Sequence, residues 1–209
     1  MTNSIHDIHE GMVNVAEYAL QFLDDQNREH ELHLSLLHRD DGEDAFLTVL
    51  VKYTKPTRYS HVPDLVAEWQ ASRRHASRYG QAGAADVGGG DRRLPAEWRG
   101  SGLGTLLQSL LTAWVKDGEP VRLAEIIFAS GDVCDSDKKI DAIALARRQR
   151  FWEKFGFDFE LSVDGSFGMS REKFSDTLTV PELKLANDRG WKMKLPDRLI
   201  GDFGLSVIA

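Results

Sequence analysis

The spacing of apolar residues along the chain predicts both helices and strands. From Val13 to Leu23 apolar side chains recur at helical intervals, which predicts an amphipathic helix. Two segments rich in Leu, Val and aromatic residues follow at 31–38 and 45–53. The Asp41-Gly42 step between them is typical of a turn, so these two segments predict a β-hairpin with a longer loop.

The middle of the chain has a less regular pattern. Residues 63–79 carry apolar side chains at helical spacing, which predicts another helix, and they include a basic cluster from Arg73 to Arg78. That cluster would either contact the phosphates of a nucleotide or form a solvated helix face. Residues 81–90 are rich in Gly and Ala, so we expect a flexible loop there and a poor strand before Pro95.

A long amphipathic helix is predicted in the second half, where Leu and Trp recur at i, i+3, i+4, i+7, i+8 and i+11 from Leu103 to Trp114. A buried strand at 122–129, a helix at 140–156 and short strands at 157–163 and 167–174 follow. This order predicts a mixed α/β fold in which helices cover a sheet.

The segment 186–209 holds too many large apolar side chains for a free tail. Pro196, Gly201 and Gly204 disfavour a helix, so we expect an extended or irregular segment that docks on the protein. Residues 205–208 would add as a strand to a sheet edge, either of the same chain or of a partner in a homodimer.

Composition and charge narrow the class of protein. The chain has 209 residues, 28% of them charged, and a net charge of -7, which disfavours nucleic acid or anionic membrane as partner and suits a cationic amine. It has no signal-peptide pattern, no apolar run that could span a membrane and a single cysteine, so we expect a cytoplasmic protein. No residue pattern indicates a metal site.

The candidate chemistry lies in a glycine-rich segment directly before the long helix. Its residues are Arg99, Gly100, Ser101, Gly102, Leu103, Gly104 and Thr105. Glycines permit backbone angles closed to other residues, and the helix start offers free N–H groups and a positive dipole end. Together these features suit a diphosphate, to which Ser101 and Thr105 would add hydroxyl donors and Arg99 a charge.

Three kinds of anion-binding loop compete for this segment, beside a plain glycine loop leading into a core helix. A Walker A loop requires a Lys after its last glycine, whereas Gly104 is followed by Thr105. A dinucleotide fingerprint requires a strand directly before its first glycine, and 92–98 with Pro95 makes a poor one. The third is the R/Q-x-x-G-x-G/A signature of the GNAT acetyltransferases, which residues 99–104 match at every defined position.

A second segment resembles the same family. Residues 151–157, Phe-Trp-Glu-Lys-Phe-Gly-Phe, are similar to the end of the later helix in GNAT proteins, and they follow the glycine turn in the expected order of elements. The resemblance covers about 94–159 and, loosely, the hairpin. It implies a GNAT-like fold over a single domain 1–209, with a mostly antiparallel, splayed sheet flanked by helices, a coenzyme-binding core at about 94–159 and an added segment at 186–209.

The resemblance further implies an N-acetyltransferase. Acetyl-coenzyme A would rest its pyrophosphate on the amides of residues 99–104 and place its pantetheine arm in the split of the sheet, where an amine acceptor attacks the thioester directly. Asp91 and Glu125 are the candidate catalytic carboxylates. Trp152 occupies the position at which many relatives have an acidic Tyr, and indole does not release a proton near neutral pH. A non-catalytic coenzyme-binding or regulatory protein is therefore the alternative.

Overall fold

A computed structural model describes residues 13–54, 65–76, 82–91, 94–129, 142–161 and 167–208. The strands are β1 (Val13–Leu23), β2 (Glu29–Asp40), β3 (Asp44–Tyr53), β4 (Leu65–Arg74), β5 (Ala84–Asp91), β6 (Arg122–Leu123), β7 (Ile127–Ala129), β8 (Phe159–Leu161), β9 (Phe167–Ser170), β10 (Leu183–Lys184), β11 (Lys192–Lys194) and β12 (Val207–Ile208). The helices are α1 (Leu103–Lys116), α2 (Ala142–Glu153) and α3 (Asp197–Asp202).

The fold is a mixed α+β arrangement around a large, curled sheet. Seven strands lie in the order β11-β1-β2-β3-β4-β5-β6, and each neighbouring pair is antiparallel except β5 and β6, which are parallel. Helix α1 packs on β3, β4 and β5. A three-stranded sheet β7-β9-β8 and a pair β10-β12 complete the described structure.

The first predicted helix is wrong: residues 13–23 form strand β1, which pairs with β2. Tyr18, Leu20 and Phe22 are buried, whereas Ala19 and Gln21 between them are exposed. This alternation has the period of two that a half-buried strand requires. The apolar residues of this segment therefore fit both a helical spacing and a strand spacing, and the structure adopts the strand.

The predicted hairpin is confirmed by β2 and β3. Leu34 pairs with Val51 and Leu36 with Val49, and all four side chains are buried on one face. The connecting turn contains Gly42 at a φ of 86°, a conformation that side chains disfavour and glycine adopts freely.

The two expectations for the middle of the chain are wrong where the structure describes them. Residues 65–74, predicted as helix, form strand β4, and residues 84–90 of the loop predicted at 81–90 belong to β5. Residues 63, 64 and 77–81 lie outside the described part. The neighbours of β5 explain why this segment is a strand, because β4 and β6 pair with it on its two edges and α1 packs against it. Tertiary contacts thus override the weak strand propensity of its glycines.

Within the described part of the basic cluster at 63–79, both arginines make contacts that stabilise the fold. Arg73 is buried and donates hydrogen bonds to the carbonyl oxygens of Val115 (3.0 Å) and Glu119 at the end of α1. Arg74 forms an ion pair with Asp44 at 3.0 Å. These contacts bind both guanidinium groups to atoms of the protein, and both residues lie on strand β4 instead of a helix.

The long helix is confirmed as α1, and its apolar stripe forms the centre of the core. Leu103, Leu106, Leu107, Leu110 and Leu111 are all fully buried. A side chain of this size contributes roughly 1.5–3 kcal/mol when it is fully buried. The helix is therefore held against the sheet mainly by its Leu-rich face.

The elements after α1 follow the predicted order with one change. Residues 122–129 do not form one buried strand but divide into β6 and β7, which belong to different sheets. Helix α2 and strands β8 and β9 lie within the predicted segments, and Gly156 follows α2 at a φ of 87°.

The C-terminal segment docks on the rest of the chain, as predicted. Met193, Leu195, Leu199 and Leu205 are buried in the same core as α1. The segment is not wholly extended, since it contains the short helix α3, in whose interior Gly201 lies and which Pro196 precedes. Proline is tolerated there because the N–H that it lacks would have no helical partner.

The final strand adds to a sheet edge of the same chain. β12 pairs in parallel with β10, which confirms the intramolecular form of the expectation. A homodimer remains a prediction that rests on the sequence. Within the described residues, no helix is both long and apolar enough to cross a membrane.

Candidate coenzyme-binding turn

The glycine turn is anchored to the sheet by Trp98. A 3-10 turn at Ala96–Trp98 leads into it from β5, and the Trp98 side chain is buried. Its indole Nε1 donates to the hydroxyl of Tyr53 at 2.8 Å, and its ring lies 5.3 Å from the ring centres of both Phe22 and Trp191. This aromatic packing fixes the position of the backbone that leads into the glycine turn.

Two of the three glycines adopt left-handed backbone angles, with φ of 90° at Gly100 and 94° at Gly102. A Cβ atom placed on Gly102 would meet nothing within 4 Å, so open space lies in front of this residue. Gly104 differs, because a Cβ there would lie 3.3 Å from Leu94 and 3.5 Å from Trp69. Gly104 therefore permits close packing of α1, and Gly102 leaves room for a ligand.

Several backbone N–H groups of the turn have no partner among the described residues. The N–H of Leu106 is bonded to the carbonyl of Gly102 at 3.0 Å, and that of Leu103 to the hydroxyl of Ser101 at 3.2 Å. No described residue accepts a hydrogen bond from the N–H of Gly102, Gly104 or Thr105. Free amides at a helix start, together with the helix dipole, favour a bound anion.

The polar side chains of the turn have different tasks from those expected. Ser101 is buried, and its hydroxyl donates to the carbonyl of Trp98 at 2.9 Å, so it stabilises the turn instead of extending from it. Arg99 is exposed, and its Nε donates to the carbonyl of Leu94 at 3.1 Å. Thr105 is half-buried in the first turn of α1.

The C-terminal segment supplies two residues that sequence reasoning missed. The Asn187 side chain donates from Nδ2 to the carbonyl of Gly100 at 3.0 Å. The guanidinium of Arg189 lies beside the same glycine, where a Cβ on Gly100 would be 2.5 Å from Nη1. These residues follow the turn by almost 90 positions, and no local motif marks them.

Strands β5 and β6 separate shortly after they pair. Ala85 pairs with Leu123, and the N–H of Ala124 donates to the carbonyl of Ala85 at 2.7 Å. Two residues later, Ile126 exchanges bonds of 2.9 Å with Ser170 of β9 instead. The sheet thus divides at this point, and residues 127–129 pair with β9 instead of β5.

β5 is irregular beside this division. Val87 and Gly88 together stand opposite the single residue Ala71 of β4, which makes a β-bulge. Gln108 of α1 donates to the carbonyl of Val87 at 3.4 Å and so ties the helix to the bulge. Glycine in a strand interior is typical of a bulge or of a place where another chain or ligand approaches the backbone closely.

The two candidate catalytic residues lie at different places along the backbone. Glu125 is exposed and lies at the division, just after the residues paired with β5. Asp91 is the last residue of β5, opposite Glu68 of β4. At about 3.3 Å per residue, Asp91 is roughly 10 Å or more farther along the strand than Val87. Of the two, Glu125 has the position nearer the split.

Trp152 is a packing residue by its surroundings. It is buried in an aromatic group in which its ring lies 5.4 Å from Phe151 and 5.5 Å from Phe157. Phe151 in turn contacts Trp69 at 6.3 Å, so this group joins α2 to β4. The indole has no exchangeable proton of useful acidity, and the expectation that Trp152 does not replace the acidic Tyr stays a prediction.

A cavity of about 460 Å³ opens at the same end of the sheet, and Phe22, His30, Tyr53 and Met193 are among its lining residues. Three of these rings contact Trp98, which therefore connects the glycine turn to the cavity wall. The volume of this cavity is in the range of small-molecule pockets. Burial raises the pKa of the Tyr53 hydroxyl.

Asp24 organises the β1–β2 turn beside this cavity. Its carboxylate is only 2% exposed and accepts hydrogen bonds from the N–H groups of Gln26 and Arg28, both at 2.9 Å. Arg28 Nε and His30 Nε2 lie 2.6 and 3.2 Å from its Oδ2. Burial by itself would raise the pKa of Asp24, but these hydrogen bonds outweigh it and hold the pKa well below its usual range.

Among the described residues, no three His, Cys, Asp or Glu side chains are arranged to hold an ion. The single cysteine, Cys134, lies outside the described part.

The chain matches no protein-family model, no curated protein and no solved structure. The resemblance of residues 99–104 and 151–157 to the GNAT acetyltransferases therefore stays a prediction from the sequence. A fold class alone does not determine an activity, so function has to follow from the geometry of the site.

Proposed function

We propose that this protein is an N-acetyltransferase that binds acetyl-coenzyme A at the glycine turn and acetylates an amine. The observation that carries the proposal is the open space in front of Gly102, in a turn where the N–H groups of Gly102, Gly104 and Thr105 have no acceptor among the described residues. A diphosphate is the part of the coenzyme that suits such a cradle, because it is anionic and accepts several hydrogen bonds at once.

The residues present fit the coenzyme. Its phosphates would be held by the amides of Gly102, Gly104 and Thr105, with Arg99 adding positive charge nearby. The division between β5 and residues 124–129 offers backbone at which an extended arm could pair. A GNAT-like splayed sheet is part of this proposal.

The chemistry supplied by the bound coenzyme is an activated acetyl thioester. The amine nitrogen would form the new bond to the acetyl carbon as the carbon–sulfur bond breaks, with the amine proton lost to a base and the thiol released. Glu125 is the better-placed candidate for that base, since it lies at the division, while Asp91 is the second candidate. A cationic acceptor suits the net charge of -7.

A second candidate function is coenzyme binding without turnover. The specific observation in its favour is that Trp152, at the position of the acidic Tyr in many acetyltransferases, is buried among aromatic rings. With no acid there, the thiolate would have to leave unassisted or through water. Both candidates require the glycine turn, so binding and turnover must be measured separately.

Binding is tested by isothermal titration of acetyl-coenzyme A into three proteins: wild type, Gly102→Val and Gly42→Val. Gly42 and Gly102 have φ of 86° and 94°, and a Cβ on either would meet nothing within 4 Å. The two substitutions therefore impose a similar backbone strain, of roughly 1–3 kcal/mol. We expect Gly42→Val to bind like wild type and Gly102→Val to give no heat of binding.

Turnover is tested by incubating each protein with acetyl-coenzyme A and a panel of monoamines, polyamines and lysine-bearing peptides, while free thiol is measured against an amine-free blank. Amine-dependent thiol release by wild type, absent in Gly102→Val, is the expected result. Near wild-type affinity of Gly102→Val would show that the turn is not the coenzyme site. Tight binding without thiol release from any amine would favour the second candidate.

A further inference from the structure

The C-terminal segment brings a cation to the glycine turn. Arg189 lies with its guanidinium against Gly100, although the two residues are distant in sequence. The side chain is exposed, and no described carboxylate forms an ion pair with it. We propose that Arg189 binds a phosphate group of the coenzyme, next to the free amides that follow Gly100; this inference rests on the proposed function.

The backbone around Arg189 is held in place from three directions. Asn187 accepts hydrogen bonds on Oδ1 from the N–H groups of Arg189 (3.0 Å) and Trp191 (3.3 Å), while its Nδ2 donates to Gly100. Trp191 packs on Trp98 with 5.3 Å between ring centres. A Cβ on Gly190 would lie 3.3 Å from Asp25, so the loop at 187–191 also packs on the β1–β2 connection. Arg189 thus approaches the glycine turn from a fixed support.

The charge of Arg189 is available to a ligand, unlike that of several other arginines. Ion pairs with described carboxylates engage Arg28, Arg74, Arg122, Arg171 and Arg198. A guanidinium presents its N–H groups in a planar fork that matches two phosphate oxygens, and it stays charged at every physiological pH. Arg189 and Arg99 would therefore both supply positive charge to the diphosphate.

The same contact assigns a second role to Gly100. Its φ of 90° favours glycine, and the position of a Cβ is already taken by the Arg189 side chain. Gly100→Ala would therefore displace the guanidinium as well as strain the backbone. Gly42→Ala is the matched control, because Gly42 has a φ of 86° and open surroundings.

The experiment measures the Kd of acetyl-coenzyme A and the thermal unfolding midpoint for wild type and four variants. Arg189→Gln and Gly100→Ala remove or displace the cation, while Arg198→Gln and Gly42→Ala are the controls. A charge-assisted hydrogen bond of typical strength predicts roughly tenfold to hundredfold weaker binding for Arg189→Gln, with an unchanged unfolding midpoint. Gly100→Ala should weaken binding as well, and both controls should bind like wild type.

The outcomes separate this inference from the proposed function. Wild-type affinity in Arg189→Gln overturns the inference while leaving the glycine turn as the coenzyme site. Weaker binding of Arg189→Gln that is accompanied by a matching loss of thermal stability also overturns it, because Arg189 would then act through the fold. Absence of binding by wild type itself would contradict the proposed function, and the inference with it.

Discussion

Replacing Leu199 with Ala should destabilise the whole protein, although this residue lies within eleven positions of the C-terminus. Leu199 is fully buried and lies in the short helix α3, whose six residues could not form a stable helix alone. Deleting a buried Leu side chain costs about 2–5 kcal/mol, from lost transfer energy and from the cavity that remains. The free energy of unfolding of a typical domain is only about 5–15 kcal/mol.

The helix has one further attachment that survives the substitution. The Tyr18 hydroxyl donates to Asp202 at 2.7 Å, and burial together with this carboxylate raises the pKa of Tyr18 to about 12. We therefore expect α3 to remain docked, with a smaller free energy of unfolding, and do not expect it to detach at neutral pH. For a chain of 209 residues each kcal/mol lowers Tm by about 2–4 °C, which predicts a fall of roughly 4–20 °C.

Urea unfolding followed by tryptophan fluorescence measures this change, since Trp191 belongs to the same segment. Ile208→Ala is the control, because Ile208 is 38% exposed in the last strand and its truncation should cost less than about 1 kcal/mol. A Leu199→Ala protein within about 0.5 kcal/mol of wild type would refute the reasoning, because surface substitutions have effects of that size. The C-terminal segment would then contribute little to the stability of the core.

Two further predictions concern Trp152 and Asp24. Trp152→Phe should lower Tm but leave kcat nearly unchanged in folded protein; a loss of about a hundredfold or more would mean that the indole takes part in proton transfer. Asp24→Asn should be less stable than wild type at pH 7. Because the folded-state pKa of Asp24 lies below its unfolded value of about 3.9, its stabilisation is present above about pH 4 and is lost as the pH falls further. The difference in urea midpoint should therefore narrow between pH 7 and pH 3, and a constant difference would contradict this assignment.

Elements with a long, unambiguous pattern were predictable from the sequence. Helix α1 repeats its apolar interval over three turns, and the β2–β3 hairpin combines β-rich segments with an Asp-Gly turn. Strand β1 was not predictable in the same way, because its apolar residues fit both a period of 3.6 and a period of two. Its pairing with β2 decides between the two conformations.

Strand β5 shows the limit of local information more clearly. Three consecutive glycines have little preference for any conformation, and the order of this strand comes from β4, β6 and α1 around it. The division after Ala85 and Leu123 is likewise a property of the sheet, since it depends on Ile126 bonding to Ser170 of a distant strand. No pattern within either segment contains that information.

The glycine turn itself was determined by the sequence, because seven contiguous residues carry both its backbone freedom and its position at a helix start. The tertiary structure decided what each of them does: Gly102 faces open space, Gly104 packs on Leu94 and Trp69, and Ser101 is turned inward. It also decided that Asn187 and Arg189 lie beside Gly100. The physical reason is that short-range patterns set backbone angles and helix ends, whereas the meeting of distant residues depends on which apolar surfaces are buried together, and here the burial of the C-terminal segment places Arg189.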